Sequence, residues 1–258
     1  MPIAETTQQE FAEHLEKLGV SDGDQIMVHS RLLSFGFIEG GVEAVYNILR
    51  KAVGPMGTIA VPNYIFDING KKNYDYDPAC TPSPLMGALS EYIRELPDAH
   101  RSRSPIHNHS AIGKNAGIVD IITGEASFGE KSDFHLFHKT GFSLLLLGCS
   151  FCEGASYVHH VETMCRVPYR RWMRLPRRIM DSSGDFIDMV CHYYDRVDRG
   201  YRENFDIIGD EMQKEHKLVR ASCPYGDSFY MRLKDLHDCV RRMIERDPYA
   251  VVKKPESG

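Results

Sequence analysis

Leu144 to Leu147 form an uninterrupted apolar run closed by Gly148, and no other stretch limits the fold so sharply. Such a run reads as a strand buried on both faces, the kind found inside an α/β sheet. Ser156-Tyr157-Val158-His159-His160-Val161-Glu162 follows directly. Strand, loop and new helix would deliver an imidazole and a carboxylate to the end of a sheet, where open α/β proteins hold their sites. If the chain is helical from Ser156 onward, His159 and Glu162 share a face while His160 points elsewhere. An imidazole with an ordinary pKa of about 6.5 takes a proton near neutral pH, and a carboxylate beside it fixes its tautomer and stabilises the imidazolium. That is equipment for a general base. The bland reading of a histidine pair is surface decoration or core packing. A metal reading is weaker, because the zinc-protease pattern needs two histidines four apart around a glutamate, and these are adjacent. His107 with His109, and His135 with His138, have no metal spacing either.

The rest of the chain supplies the sheet. Thr7 with Glu10 reads as a capping box for an amphipathic helix that buries Phe11, Leu15 and Leu18 and ends at Gly19. Gln25 to Val28 is a short strand running into His29, Ser30 and a loop with Gly36, Gly40 and Gly41; Val42 to Val53 then repeats its apolar residues at helical spacing. Gly57 to Pro62 is a second buried strand, so the order is that of a βαβ unit. The loop from Asp67 to Pro84 is long and polar enough to border a site. Met86 to Leu96 resumes a helix, Ser132 caps a short one through Lys139, and Ser143 to Leu147 is the inner strand. Beyond His159, Arg177 to Met180 and Phe186 to Cys191 flank the turn Asp181-Ser182-Ser183-Gly184-Asp185, which has hairpin chemistry. Phe205 to Glu215, a polar strand pair around Tyr225-Gly226-Asp227, and Leu233 to Arg246 complete a single α/β domain over residues 1–258 with a small β-rich addition in its C-terminal half.

Charge and cysteine usage exclude several classes. A net charge of -5 argues against a general nucleic-acid binder. No apolar run approaches the roughly 18 residues of a membrane span, and the amino terminus lacks a charged-then-apolar signal segment. A cytoplasmic protein is expected. The seven cysteines are irregularly spaced, as reduced thiols are. Cys149 and Cys152 make a C-x-x-C, but zinc would want a second such pair, and a thioredoxin-like motif should open a helix after an early strand.

Taken together, His29-Ser30, Gly40-Gly41, Gly57-Thr58 through Pro62, Gly87-Ala88-Leu89-Ser90-Glu91, Arg101-Ser102 with Pro105 and His107, Leu145-Leu146-Leu147-Gly148, His159 with Glu162, Val167-Pro168-Tyr169-Arg170, and Phe205 with Ile208-Gly209 resemble, in order and spacing, the aminoglycoside 3-N-acetyltransferase family. The resemblance runs from about Gly23 to Pro248. It implies a three-layer α/β/α sandwich and transfer of an acetyl group from acetyl-CoA to an amine, with His159 as the base. It also implies a distant acidic residue paired with the histidine. Glu203 is that candidate, with Asp195 and Asp198 in reserve, and Glu162 orients His159 or the amine as the alternative.

Coenzyme A brings phosphates that need backbone donors and cations. The loop from His29 to Gly41 ahead of a helix offers both free N–H groups and the positive end of a dipole, with Ser30 and Gly41 nearest. Arg101, Ser102 and Ser132 are further cofactor-side candidates on the resemblance, Asp133 standing where the family usually has proline. Arg166, Arg170, Arg171, Arg174, Arg177 and Arg178 around Trp172 are ordinarily a solvated face; the alternative is that some bind an anionic acceptor, because guanidinium forks suit phosphate, so the expected acceptor is an amino sugar or a nucleotide-linked amino sugar. A cationic aminoglycoside is the alternative acceptor. Rival readings are a metal-dependent hydrolase using the same side chains, against the expectation of no metal, and an inactive relative that only binds. A homodimer is compatible with the sequence.

Overall fold

The computed structural model describes residues 3–66 and 75–254. Its centre is a seven-stranded sheet in the order Val219–Cys223, Gly226–Arg232, Ser143–Leu147, Gln25–Ser30, Thr58–Pro62, His109–Gly113, His100–Arg101. The three middle strands are parallel and every outer pairing is antiparallel. Parallel strands must be covered on both faces, and the alternation of side chains along them does this. Ile26, Val28, Ile59, Val61, Leu145 and Leu147 pack with Phe11, Leu15, Val45 and Leu49 of the helices Gln8–Leu18 and Gly41–Val53. Met27, Ala60, Leu144 and Leu146 face the opposite layer, with Phe134, Phe137, Tyr157, Val161, Leu236 and Val240. The four leucines are wholly buried, each worth about 1.5–3 kcal/mol against exposure. The result is the expected three-layer α/β/α sandwich.

Local signals end the elements close to where the sequence places them. Thr7 and Glu10 form a reciprocal capping box, and Gly19 closes that helix in the left-handed conformation at φ 85°. Ser132 caps Asp133–Lys139 by accepting from the His135 N–H. The helix expected from Met86 is shorter, Ala88–Arg94, because Gly87 at φ 87° separates it from a 3-10 turn over Pro84–Met86. Residues 67–74 of the loop expected to border a site lie outside the described residues.

The β-rich addition divides differently from the expectation. The hairpin is longer, Arg170–Met180 against Phe186–Arg196, and forms its own sheet with Asp75–Tyr76. The polar strand pair instead joins the main sheet, Gly226–Arg232 lying antiparallel to Ser143–Leu147. Without it the all-leucine strand would be an open edge with unpaired backbone groups.

Candidate active site

On either side of Gln25–Ser30 lie two parallel partners, Thr58–Pro62 and Ser143–Leu147. The chain crosses from that strand directly to Thr58–Pro62 on one side and reaches Ser143–Leu147 on the other only later, and the carboxyl ends at such a switch form the crevice where these sheets bind ligands. The chain leaving Leu147 turns at Gly148, passes a short helix Phe151–Gly154 capped by Ser150 and Glu153, and enters the helix Tyr157–Cys165. Gly154 makes this tight descent feasible: a Cβ there would stand 2.8 Å from the Leu146 side chain and 2.9 Å from Cys149 Sγ.

His159 and Glu162 share one face of that helix, with Nδ1 2.6 Å from Oε2. His160 points into the core, where Nδ1 accepts the Gly129 N–H at 3.2 Å and burial pushes its pKa down to about 3. Glu162 is fully buried. Burial raises its pKa, but His159, Arg170 and the Tyr169 hydroxyl together bring it below the ordinary carboxylate value. Tyr169 Oη donates to Oε1 at 2.7 Å, and Arg170 Nε lies 2.9 Å from Oε2. The helix ends at Arg166 in the left-handed conformation, and Pro168 follows, so the chain folds back and brings Tyr169 and Arg170 over the glutamate.

His159 retains 19% side-chain exposure. Its ring is edge-on to Phe128 and Phe205, with centroids 5.6 and 5.2 Å away. Burial and the Arg170 charge lower its pKa, against the raising influence of Glu162 and Glu203. Nε2 has no hydrogen-bond partner among the described residues and is not sealed from solvent. A neutral imidazole with Nδ1–H on a carboxylate and a bare, accessible Nε2 can accept a proton from a bound nucleophile.

Glu203 does not take the partner's place foreseen for it: Glu162 already holds Nδ1. The Glu203 carboxylate is 3.3 Å from Arg196 and 3.9 Å from Arg170. Asp195 is occupied by Arg199 and the Arg196 N–H, and Asp198 by the Gly200 N–H.

The cofactor-side candidates are scattered. His29 is buried at the carboxyl end of its strand, 6.1 Å from the Tyr64 ring, with its pKa lowered to about 3 by burial and by His109. Ser30 is half-buried at that strand's last position, and Gly41 opens its helix with nothing within 4 Å of a built Cβ. Arg101 turns inward instead, donating to Asn108 Oδ1 at 2.8 Å and to the carbonyls of Thr81 and Asn63. Ser102 is completely buried and donates to Asp133 Oδ2 at 2.6 Å, while Ser132 donates to the Gly129 carbonyl at 2.7 Å. Ser102 and Ser132 thus tie loops together through buried partners, whereas Arg101 ties its loops and also borders a second cavity with Arg103, Asp77 and Asp120.

The sequence reading also missed a buried network. Asp133 Oδ2 lies 2.9 Å from His109 Nδ1, whose Nε2 is 3.2 Å from Tyr64 Oη. Tyr64 directly follows the strand Thr58–Pro62 and its neighbour Asn63, and that position at a strand's carboxyl end was the available signal. Among the described residues no three His, Cys, Asp or Glu side chains converge as a metal site. All seven cysteines are free; Cys149 is buried, which raises its pKa to about 12, whereas Cys152 is exposed. No helix of the described residues is long and apolar enough to cross a membrane.

Beside the helix Tyr157–Cys165 lies a cavity of about 580 Å³ whose lining includes Phe128, Thr163, Trp172 and the charged Glu125, Glu130, Lys131 and Arg166. Phe128 is shared with His159, and Thr163 donates to the His159 carbonyl at 2.7 Å.

The family model described as aminoglycoside 3-N-acetyltransferase matches residues 27–245. Aminoglycoside N(3)-acetyltransferase III of Salmonella sp. is 30% identical over 225 residues, covering 80% of this chain and 76% of its own length. Aminoglycoside N(3)-acetyltransferase VII of Streptomyces paromomycinus is 29% identical over 260 residues, covering 90% and 89%. Among solved structures, aminoglycoside acetyltransferase AAC(3)-Xa superposes with a TM-score of 0.82 at 23% identity over 94% of this chain and 93% of that one. AAC-IIIb in a binary complex with CoASH gives 0.81 at 20% identity over 99% and 100%. At these identities the superpositions speak for the fold.

Proposed function

The chain belongs to the aminoglycoside 3-N-acetyltransferase family, and from that premise we propose that it transfers the acetyl group of acetyl-CoA to an amine of an aminoglycoside, with His159 as general base. The observation that carries this reading is the His159–Glu162 contact at 2.6 Å with Nε2 left open at the carboxyl end of the sheet. An amine attacks a thioester only as the free base. Nε2 takes the N–H proton as the carbon–nitrogen bond forms, and the Glu162 carboxylate stabilises the resulting imidazolium. The carbon–sulfur bond then breaks, and the imidazolium returns its proton to the departing thiolate. Tyr169 and Arg170 hold Glu162 ionised and in place.

Membership of the family favours a cationic acceptor over the anionic one suggested by the arginine run, and the hairpin offers no positive wall to oppose it. Side chains alternate along a strand, so the run does not form one positive wall. Arg170 is buried on Glu162, Arg178 pairs with Asp75, Arg177 is buried, and Arg171 and Arg174 are exposed. Of the run, Arg166 borders the cavity, where it and Lys131 balance the carboxylates of Glu130 and Glu125, the latter paired with Lys131, around the half-exposed Trp172. The aromatic face of Trp172 with the Glu130 carboxylate beside it suits an amino-substituted sugar ring.

The test is thiol release from acetyl-CoA with a panel of aminoglycosides, simple amino sugars and nucleotide-linked amino sugars. Turnover with aminoglycosides is expected. Turnover confined to nucleotide-linked amino sugars would overturn the acceptor assignment, and thiol release with none of them, in a protein whose melting temperature acetyl-CoA does not raise, would overturn the whole reading.

A further inference from the structure

Arg170 is the first residue of its hairpin strand, and its side chain is only 3% exposed. Nη1 donates to the Tyr194 carbonyl at 3.2 Å. Nη2 is aimed at His159 Nδ1 at 2.9 Å, and Glu203 Oε1 lies 3.9 Å from the same nitrogen. Nε stands 2.9 Å from Glu162 Oε2 as an ion contact, without an aligned hydrogen bond.

Two groups therefore contend for one imidazole nitrogen. Glu162 requires a proton on Nδ1, since a bare nitrogen would set its lone pair 2.6 Å from a carboxylate oxygen. The Arg170 N–H requires the opposite, because a donor cannot face a donor. In a neutral imidazole one nitrogen carries the proton and the other is bare. A hydrogen bond from Arg170 to Nδ1 thus puts the proton on Nε2, the nitrogen that must be bare for His159 to act as a base.

We propose that Arg170 is a positioning residue that decides which nitrogen of His159 is bare, and that Glu203 is the counter-ion that draws it away from Nδ1. When Nη2 turns to Glu203, Nδ1–H donates to Glu162 and Nε2 is free; when Nη2 stays on Nδ1, the base is blocked. Glu203, which does not reach the imidazole, thereby acts on the reaction through Arg170. The charged groups acting on His159 are Glu162 on its own helix, Arg170 on the hairpin and Glu203 beyond it, with the buried imidazole of His107 also close enough to interact. Arg170 also lowers the basicity of His159, in keeping with a cation held against the ring. This inference rests on His159 as the base of the proposed reaction, but the tautomer measurement that decides it needs no substrate.

Imidazole 15N chemical shifts separate the two tautomers, and comparison with His159→Ala assigns the signal. In the wild type at neutral pH, Nδ1–H should predominate. Glu203→Gln, a change at a residue 29% exposed, should shift the population toward Nε2–H and lower kcat by roughly tenfold with KM for acetyl-CoA unchanged. Arg170→Gln should leave Nδ1–H alone and raise the His159 pKa, while Arg170→Lys should restore the wild-type value in part. If Arg170→Gln fails to fold, the wild-type and Glu203→Gln spectra decide. A predominant Nε2–H form in the wild type, or identical tautomer populations in the wild type and Glu203→Gln, would overturn the proposal. Loss of the expected acceptor activity with these spectra intact would instead count against the proposed function alone.

Discussion

Replacing Glu162 by Gln tests the site at its most enclosed point. The carboxylate is inaccessible to solvent and has Nδ1 of His159 at 2.6 Å, Tyr169 Oη at 2.7 Å and Arg170 Nε at 2.9 Å. Neutralising it strands a buried guanidinium whose other carboxylate, Glu203, is 3.9 Å away. Removing one partner of a buried ion pair costs about 3–5 kcal/mol, and the Gln amide oxygen can still accept from Tyr169, so the loss should fall near about 3 kcal/mol. For a chain of this size that is a fall in melting temperature of roughly 6–12 °C. The kinetic effect is separate. Without the carboxylate the imidazolium loses its counter-charge, and kcat/KM should fall roughly 100-fold, equivalent to about 2.7 kcal/mol of transition-state stabilisation. Melting is followed with and without acetyl-CoA, and turnover by thiol release at a temperature well below the variant's transition. A folded Glu162→Gln protein with kcat/KM within about threefold of the wild type would refute the orienting role. An unchanged melting temperature would refute the claim that this carboxylate offsets a buried charge.

Three further outcomes follow from the same geometry. His159→Ala should lower kcat/KM by roughly 100-fold or more while acetyl-CoA binding by calorimetry is kept, whereas His160→Ala, at a residue that points into the core, should chiefly lower the melting temperature. His29 and His160 stay neutral in the fold down to about pH 3 but protonate near pH 6.5 when unfolded; the unfolded state then binds more protons, so stability should fall as pH drops from about 6.5 toward 3, by about 2 kcal/mol per histidine at about pH 5. Denaturant titrations across that range check it, and flat stability would show that these imidazoles are hydrated. Trp172→Ala should raise the acceptor KM several-fold without changing that for acetyl-CoA, and an equal rise in both would remove the cavity from the acceptor side.

Much of this molecule was decided by short-range pattern. Leu144 to Leu147, short and closed by Gly148, read as a strand covered on both faces, because four consecutive leucines in an extended chain put apolar groups on both sides. Thr7 with Glu10, Gly19, and Ser132 set helix ends through bonds that span three or four residues. The His159–Glu162 pair was legible for the same reason, since helical spacing alone brings positions three apart together. What lay beyond reach depended on long-range closure. The strand pair around Tyr225 joined the main sheet only because Ser143–Leu147 would otherwise present an open edge, a need that exists once the sheet has formed. Arg170 was read as one of six arginines in a positive run, but strand alternation and the turn at Arg166 bury it against Glu162 and leave Arg171 at the surface. Glu203 ended on Arg196 and near Arg170 rather than on the imidazole, and Ser102 and Ser132 became internal ties. Residue type and spacing specify what a side chain can do; which partner it meets across tens of residues is set by the packing of the layers, where each buried polar atom must find an acceptor or donor that no local pattern names.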